Sequence, residues 1–472
     1  MSIPRNIISS VCSLCESAVS LRVTQRGLSA AAHSVIQTDS LKGTPHRKHP
    51  GLTNLKTLHL PEELQRGALS IILEAEVNRL SERAQNLTNF LWSRKRAAED
   101  TQLRERAIAL EKELLEKEKA SHNIEGGRGL ETRIKKRVLS ELRRKTYHWT
   151  PLRYDKDLGV VYMAARLAGG YAAVKRALNE IKKRDSSFWP HSLLDFGSGL
   201  GTAVWASHAL WGESLKEFVC VDSSGAMNSL AELLLKGGSE KNEPLINQVY
   251  FRQFLPVSPK VQSDLVVGAF ALSELASQKE REDIVLTLWR KTNAYLVLVE
   301  NGTKEGHQIL MEARETVLKK QDKVIHDPRR PSVFAPCTHE LPCPKMAKQP
   351  VVPCNFLQPY CPLPLPGNPD KQQEKFSYLI LSRVEPVSIE VEKNAESDGL
   401  DWARLTAPVL RRAKHVHCHM CCSDGDLKHV VVTARRHGRD MYRCARRSDW
   451  GDRLPILQTG DDAQTDSADE PV

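Results

Sequence analysis

The stretch LLDFGSGLG, Leu193–Gly201, sets an apolar run, an acid and three alternating glycines in immediate succession. It reads as a strand that ends in a tight turn and opens a helix. Glycine is needed in such a turn because the backbone bends sharply and a ligand approaches where a Cβ would collide. The order is D-x-G-x-G-x-G, with Asp195 ahead of Gly197, Gly199 and Gly201. The next strand-like run, EFVCVD, ends in Asp222, 21 residues beyond Gly201, where an acid can accept hydrogen bonds from a ribose.

Outward from this turn, apolar runs alternate with helical ones: AVWASHALWG, EFVCVD, AMNSLAELLLKG, VYFRQFL, SDLVVGAF, EDIVLTLWRK, YLVLVEN and GHQILMEARETVLKK. Strands separated by helices of ten to fifteen residues predict a doubly wound α/β fold with a parallel sheet. A dinucleotide-binding enzyme would share the ribose acid but would read G-x-G-x-x-G. The leading Asp195 suits S-adenosylmethionine, whose amino group and sulfonium favour a nearby carboxylate. The pattern therefore resembles the class I methyltransferase family, whose sheet finishes with an antiparallel pair of strands. FSYLILSRV (Phe376–Val384) and HVVVTARR (His429–Arg436) are expected to supply that pair, the latter opening a terminal hairpin with MYRCARR.

The chain has 472 residues, a formal charge of +10 and a sequence pI near 9.0, which favours a polyanionic partner such as nucleic acid. No apolar run reaches the ~18 residues that a membrane span needs. The first 38 residues carry Arg5, Arg22 and Arg26 against a single acid, Glu16, and include eight serines. That composition fits a mitochondrial presequence, or else an ordinary disordered N-terminus. Import into the matrix would place the protein in a reducing compartment, where thiols serve as ligands more readily than as disulfides. Pro61–Lys119 is helical in pattern, with Pro61 and two glutamates at its start, and EGGRG at Glu125–Gly129 ends that unit. A second helical stretch, LETRIKKRVLSELRRK, is basic enough either to contact RNA or simply to be solvated. A third, LGVVYMAARLAGGYAAVKRALNEIKKR, is apolar enough to pack on a core.

No recognisable catalyst accompanies the glycine turn. Methylation of exocyclic base amines uses an N/D-P-P-Y/F turn after the fourth strand, but SDLVVGAF runs on into ALSEL. Cytosine C5 methylation needs a cysteine nucleophile, and neither AFALSEL nor VENGTKEG holds one. Ser273, Glu274, Glu300 and Asn301 fall at the carboxyl ends of strands, where they either orient a substrate or cap the turns that follow.

Eleven cysteines are present; Cys12 and Cys15 lie in the presequence-like segment. Cys220 reads as a small buried residue of the second strand, and Cys444 as a similar structural residue near the C-terminus. The other seven fall in two groups, Cys337 to Cys361 and HVHCHMCC (His415–Cys422), on either side of the Phe376–Val384 strand. The first group lies in a span, Asp327–Asp370, with 12 of the 25 prolines, where neither helix nor strand is expected. Zinc would use Cys418-x-x-Cys421 with Cys337 and Cys343, or recruit His417 or His419. An iron–sulfur cluster would take four thiolates from unevenly spaced loop positions. From Arg404 to Arg447 there are 11 Lys and Arg against three acids, a basic surface suited to phosphate or to plain solvation.

DFGSGLG, VENGTKEGH, FAPCTHELPCP, HVHCHMCC and TARRHGRDMYRCAR together resemble a mitochondrial family of methyltransferase-like assembly factors of the small ribosomal subunit. The resemblance implies S-adenosylmethionine binding at Asp195, Gly197, Gly199, Gly201 and Asp222. It implies a [4Fe–4S] cluster, with zinc as the alternative, on Cys337, Cys343, Cys354 and Cys418. It also implies a matrix protein, monomeric when bound to the maturing small subunit with its rRNA and proteins, and without membrane insertion. Transferase activity is expected to be absent; the alternative is an active rRNA methyltransferase of the same particle. The expected organisation is a presequence over 1–30, a helical region over 31–184, a methyltransferase-like core over 185–327 and a Cys/Pro-rich insertion over 328–375. Strands and a basic hairpin over 376–450 would complete the sheet and the cluster site, followed by an acidic tail over 451–472.

Overall fold

The computed structural model describes residues 41, 45–97, 99–120, 128–145, 149–258, 260–319, 327, 329–348, 350–384 and 402–455. The presequence-like segment, with Cys12 and Cys15, and the acidic run beyond 455 lie outside the described residues. Among the described residues no helix is long and apolar enough to cross a membrane.

Five helices come first: α1 (Glu62–Ala75), α2 (Leu80–Ser93), α3 (Asp100–Ala120), α4 (Arg128–Lys145) and α5 (Lys156–Arg184). The last is the central post of the molecule. Asp155 caps it by accepting a hydrogen bond from the Leu158 N–H, and Lys182, Lys183 and Arg184 oppose the dipole at its end. It is buried along most of its length, which its run of Ala, Gly and Val permits. By contrast, α3 and α4 pack on each other around a small seam of their own, Leu114, Ile134 and Val138, apart from the main core. They form an arm.

The main sheet contains β1 (Ser192–Phe196), β2 (Glu217–Val221), β3 (Val249–Arg252), β4 (Ser263–Ala269), β5 (Thr292–Asn301), β6 (Arg330–Ala335), β7 (Phe356–Tyr360) and β8 (Gln372–Val384). Strand order is β3-β2-β1-β4-β5-β8-β6, with β7 also on β8; the first five are parallel and β8 is antiparallel to β5. Helices α6 (Thr202–Trp211), α7 (Gly225–Leu235) and α8 (Gln278–Arg290) connect β1 to β2, β2 to β3 and β4 to β5, and α9 (Lys304–Lys319) leads from β5 to β6. Side chains alternate in direction along a strand. Leu193, Leu265 and Val297 thus join the core under α5 and α6, while Leu194, Val266 and Leu296 join the one under α8 and α9. The connections reverse direction between β1 and β4, and the crevice at such a switch point is where open α/β sheets bind ligands.

A second, five-stranded sheet follows: β9 (Ala403–Leu405), β10 (Leu410–Arg411), β11 (His415–Cys421), β12 (Leu427–Thr433) and β13 (Arg453–Leu454). Helices α10 (Ala434–His437) and α11 (Arg439–Arg447) lie between its last two strands. Three expectations are corrected here. HVVVTARR does not complete the main sheet, because β12 pairs with β11 in the second one; on its side away from β5, β8 pairs antiparallel with β6 and β7. No terminal hairpin forms, because Thr433 caps a helical turn through the Arg436 N–H, and Met441, Cys444 and Ala445 recur at helical spacing on a buried face. The proline-rich span does contain strands, with Pro331 in β6 and Pro359 in β7, edge positions where a missing N–H is tolerated.

Candidate cofactor chamber and thiol pocket

A cavity of about 500 Å³ opens at the carboxyl ends of β1, β2 and β4. Gly197, Gly199 and Asp222 line it. Gly197 has φ +66°, and a Cβ there would lie 2.5 Å from the Ala271 side chain, so only glycine fits. The Gly199 N–H donates to Asp222 Oδ2 at 2.9 Å and the Ser224 N–H donates to Oδ1 at 2.9 Å. These two bonds fix the Asp222 carboxylate on the cavity wall with lone pairs to spare. Asp195 and Gly201 do not line the cavity. Gly201 is the residue before α6. Asp195 is 2% exposed behind the turn, and its Oδ2 has no hydrogen-bond partner among the described residues. Burial, then the charge of Asp222, pushes its carboxyl up to about 8.

The roof of the cavity comes from the helical region, a feature with no local signature in the sequence. Arg94, just past α2, and Pro151, Leu152 and Tyr154, just ahead of α5, all line it. Arg94 Nη1 pairs with Glu274 Oε2 at 2.6 Å, its Nη2 donates to the Thr150 carbonyl at 2.9 Å, and its guanidinium lies 4.9 Å from the Trp149 ring. Tyr154 turns its hydroxyl to Glu274 Oε1 at 3.4 Å, while its carbonyl accepts from Ser224 Oγ at 2.6 Å. The remaining strand-end residues are engaged as well. The Ser273 N–H donates to Glu300 Oε1 at 3.1 Å, and burial pushes the Glu300 carboxyl up to about 7. Asn301 accepts from Arg166 at 3.3 Å and donates to the Leu91 carbonyl at 3.4 Å.

A second, smaller pocket is lined by Cys337, Cys343, Cys354 and Cys421, with Pro336, Pro344, Lys345 and Arg404. Burial pushes the Cys337 thiol up to about 12 and Cys354 to about 11, and raises Cys421 as well; neighbouring thiols of the group add to the rise at all three. Two histidines flank the group. His339 Nδ1 lies 3.1 Å from the Leu341 carbonyl, which can only accept, so that nitrogen carries the proton; Nε2 then accepts from the Cys421 thiol at 3.3 Å. His307 Nε2 stands 3.8 Å from Cys343 Sγ. As the side chains stand, no three His, Cys, Asp or Glu among the described residues are arranged to hold a metal ion.

Cys418 does not reach this pocket. On β11 it faces inward with Val416 and Met420, fully buried in the core beneath α11, whereas Cys421, an odd number of residues on, faces the other way. The pairing of β11 with both β12 and β9 decides that orientation, and the sequence spacing alone could not. Cys361 ends near His59, with 3.8 Å between Sγ and Nε2, and Cys422 and Cys444 belong to the second core.

The strand order, the glycine turn and the acid after β2 define a class I methyltransferase-like fold. The profile of the family described as mitochondrial small ribosomal subunit Rsm22 matches residues 156–455. The chain is 51% identical over 436 residues to the human "Ribosome assembly protein METTL17, mitochondrial", covering 92% of this chain and 91% of that protein. It is 25% identical to the fission yeast Rsm22-cox11 tandem protein 2, mitochondrial, over 63% of this chain and 43% of that one. Among solved structures, the magnesium protoporphyrin IX methyltransferase of Synechocystis with bound SAH aligns at 12% identity and a TM-score of 0.29, over 52% of this chain and 93% of that one. A putative RNA methyltransferase of Pyrococcus horikoshii aligns at 10% identity and a TM-score of 0.28, over 45% of this chain and 84% of that one. The chain belongs to the mitochondrial Rsm22 family.

Proposed function

We propose that this protein is a matrix assembly factor of the mitochondrial small ribosomal subunit that binds S-adenosylmethionine without transferring its methyl group. The observation that carries the reading is the Arg94–Glu274 pair under Tyr154. Where an acceptor would meet the cofactor, the strand-end carboxylate is already bound by an arginine and the opening is roofed by the protein's own chain. Asp222 supports the cofactor reading: its carboxylate is held on the cavity wall and can accept from ribose hydroxyls, whereas Asp195 lies off the cavity behind the turn. Its volume, about 500 Å³, is that of a small-molecule site.

The thiol pocket supports a [4Fe–4S] cluster held by Cys337, Cys343, Cys354 and Cys421. Four thiols converge on one proline-walled pocket, and Lys345 and Arg404 offset the charge of ionised sulfur. When bound, the cluster would brace the loop between β6 and β7 against β11. The exposed arginines of α10 and α11, Arg435, Arg436, Arg439, Arg443 and Arg447, form a basic stripe suited to rRNA phosphates.

The test replaces Gly197 with leucine, blocking the chamber, and measures cofactor binding, rRNA methylation and small-subunit assembly together. The expected result is lost cofactor binding with no missing rRNA methyl group. An rRNA methyl group that disappears with the chamber would establish an active methyltransferase instead. Anaerobic purification with iron and sulfide analysis tests the cluster; stoichiometric zinc without sulfide would replace it.

A further inference from the structure

The second sheet has one covered face, and an opposite face that is open from His415 to His419 and closed beyond them at Cys421 by the thiol pocket. Val416, Cys418, Met420 and Val432 lie beneath α11. The opposite face carries His415, His417 and His419 on β11, with His429 directly across from His419. Their rings are ordered into a column: His429 and His419 stack at 4.5 Å and 15°, and His417 lies edge to edge with His429, with centroids 5.1 Å apart and planes 11° apart. His415 meets His417 edge-on at 4.9 Å. One ring nitrogen donates to another between His417 Nδ1 and His429 Nε2, 3.0 Å apart. Beside the column, in the row of His417, stand Leu410 and Val431, 50% and 39% exposed. An exposed apolar row next to stacked rings is an unusual face to leave to water.

We propose that this face is a stacking platform for single-stranded RNA. This rests on the rRNA-contacting reading above and gives it a second, chemically different surface. Unpaired bases stack on ring faces and on apolar side chains, and sheets that bind single strands present such groups on an open face. The charges around it agree. Arg412 and Lys414 stand at the His415 end, where Thr433 leads into Arg435 and Arg436, and Lys348 acts on His419 at the other. Asp424 and Asp426 lie in the β11–β12 turn, and Asp424 is held by Lys428. A duplex offers no free base faces, and a protein partner would not require the cationic rim.

The experiment measures binding of the full chain to a labelled single strand of about twelve nucleotides, within the span one such sheet covers, and to a hairpin duplex, by fluorescence anisotropy across a salt series. His417→Ala with His429→Ala should lose about tenfold in single-strand affinity with an unchanged salt slope, the scale of one lost stacked base. His429→Tyr, which keeps a ring, should retain binding. Arg435→Gln with Arg436→Gln should instead flatten the salt slope. Far-ultraviolet circular dichroism and melting confirm that each variant is folded. Unchanged affinity in the alanine variant, equal losses on duplex and single strand, or a tyrosine variant as weak as alanine each overturns the platform while leaving an arginine-based rRNA contact standing. A parent protein that binds neither RNA overturns both.

Discussion

Glu180 of α5 and Arg404 of β9 meet at 2.7 Å with both side chains sealed from solvent. Glu180 also takes Arg176 at 3.2 Å and Arg184 at 3.7 Å, so one carboxylate serves three guanidinium groups. These cations hold its carboxyl well below the usual range. Arg404 reaches onward: its Nε donates to the Pro336 carbonyl at 3.0 Å, and its side chain lines the thiol pocket. The central helix of one layer is thereby joined to the loop that carries Cys337.

Glu180→Gln should be among the most damaging single changes. It leaves three buried arginines without their acid, a loss on the order of 3–5 kcal/mol. Urea unfolding should show a lower midpoint at an unchanged slope. A midpoint that does not move would mean that the arginines find other partners.

Asp195 gives a pH dependence with a definite sign. Its folded value, about 8, lies above the ordinary carboxylate value of 3.8, so the folded state holds a proton that the unfolded chain releases. That contribution is fully present below pH ~4 and is lost as pH rises through ~8. Asp195→Asn should flatten the decline between about pH 4 and 8. A cationic ligand favours the ionised carboxylate, so S-adenosylmethionine affinity should rise over the same interval in the parent and not in the variant. Calorimetry at four pH values decides it.

Cys421→Ser and Cys418→Ser should behave differently. The first should abolish iron and sulfide loading. The second should retain loading but lower stability by about 1–3 kcal/mol, because a hydroxyl then sits in an apolar core. Loading that follows Cys418 would return the ligand set to the one the sequence suggested.

Arg94→Ala removes the cation from above Glu274. The expected effect is faster cofactor dissociation, several-fold in stopped-flow, with little change in melting temperature. An unchanged rate would show that the Tyr154 side of the roof alone retains the ligand.

What the sequence disclosed follows from the range of each interaction. The glycine turn and Asp222 were legible because their geometry is local, set within a single β-turn-α unit. Density alone marked out Cys337, Cys343, Cys354 and Cys361 together, and only the family resemblance singled out the first three. The choice between Cys418 and Cys421 was not, since strand pairing fixes which face each residue takes. The strand that completes the main sheet was missed because proline argues against strands in general and only spares edges. Arg94 and Tyr154 were invisible for another reason: they act on Glu274 from 180 and 120 residues away, through packing that has no motif.

The arm formed by α3 and α4 leaves the body just after Arg94 and returns just before Tyr154, and both of its roots are roof tiles of the chamber. Arg96 fastens the outgoing root to Glu305 and Glu312 on α9. With 21 residues in α3, the arm extends about 30 Å from the roof of a cavity of small-molecule size. Arg94 and Tyr154, at the two roots, therefore share one duty: each holds a wall of the chamber and an end of the arm.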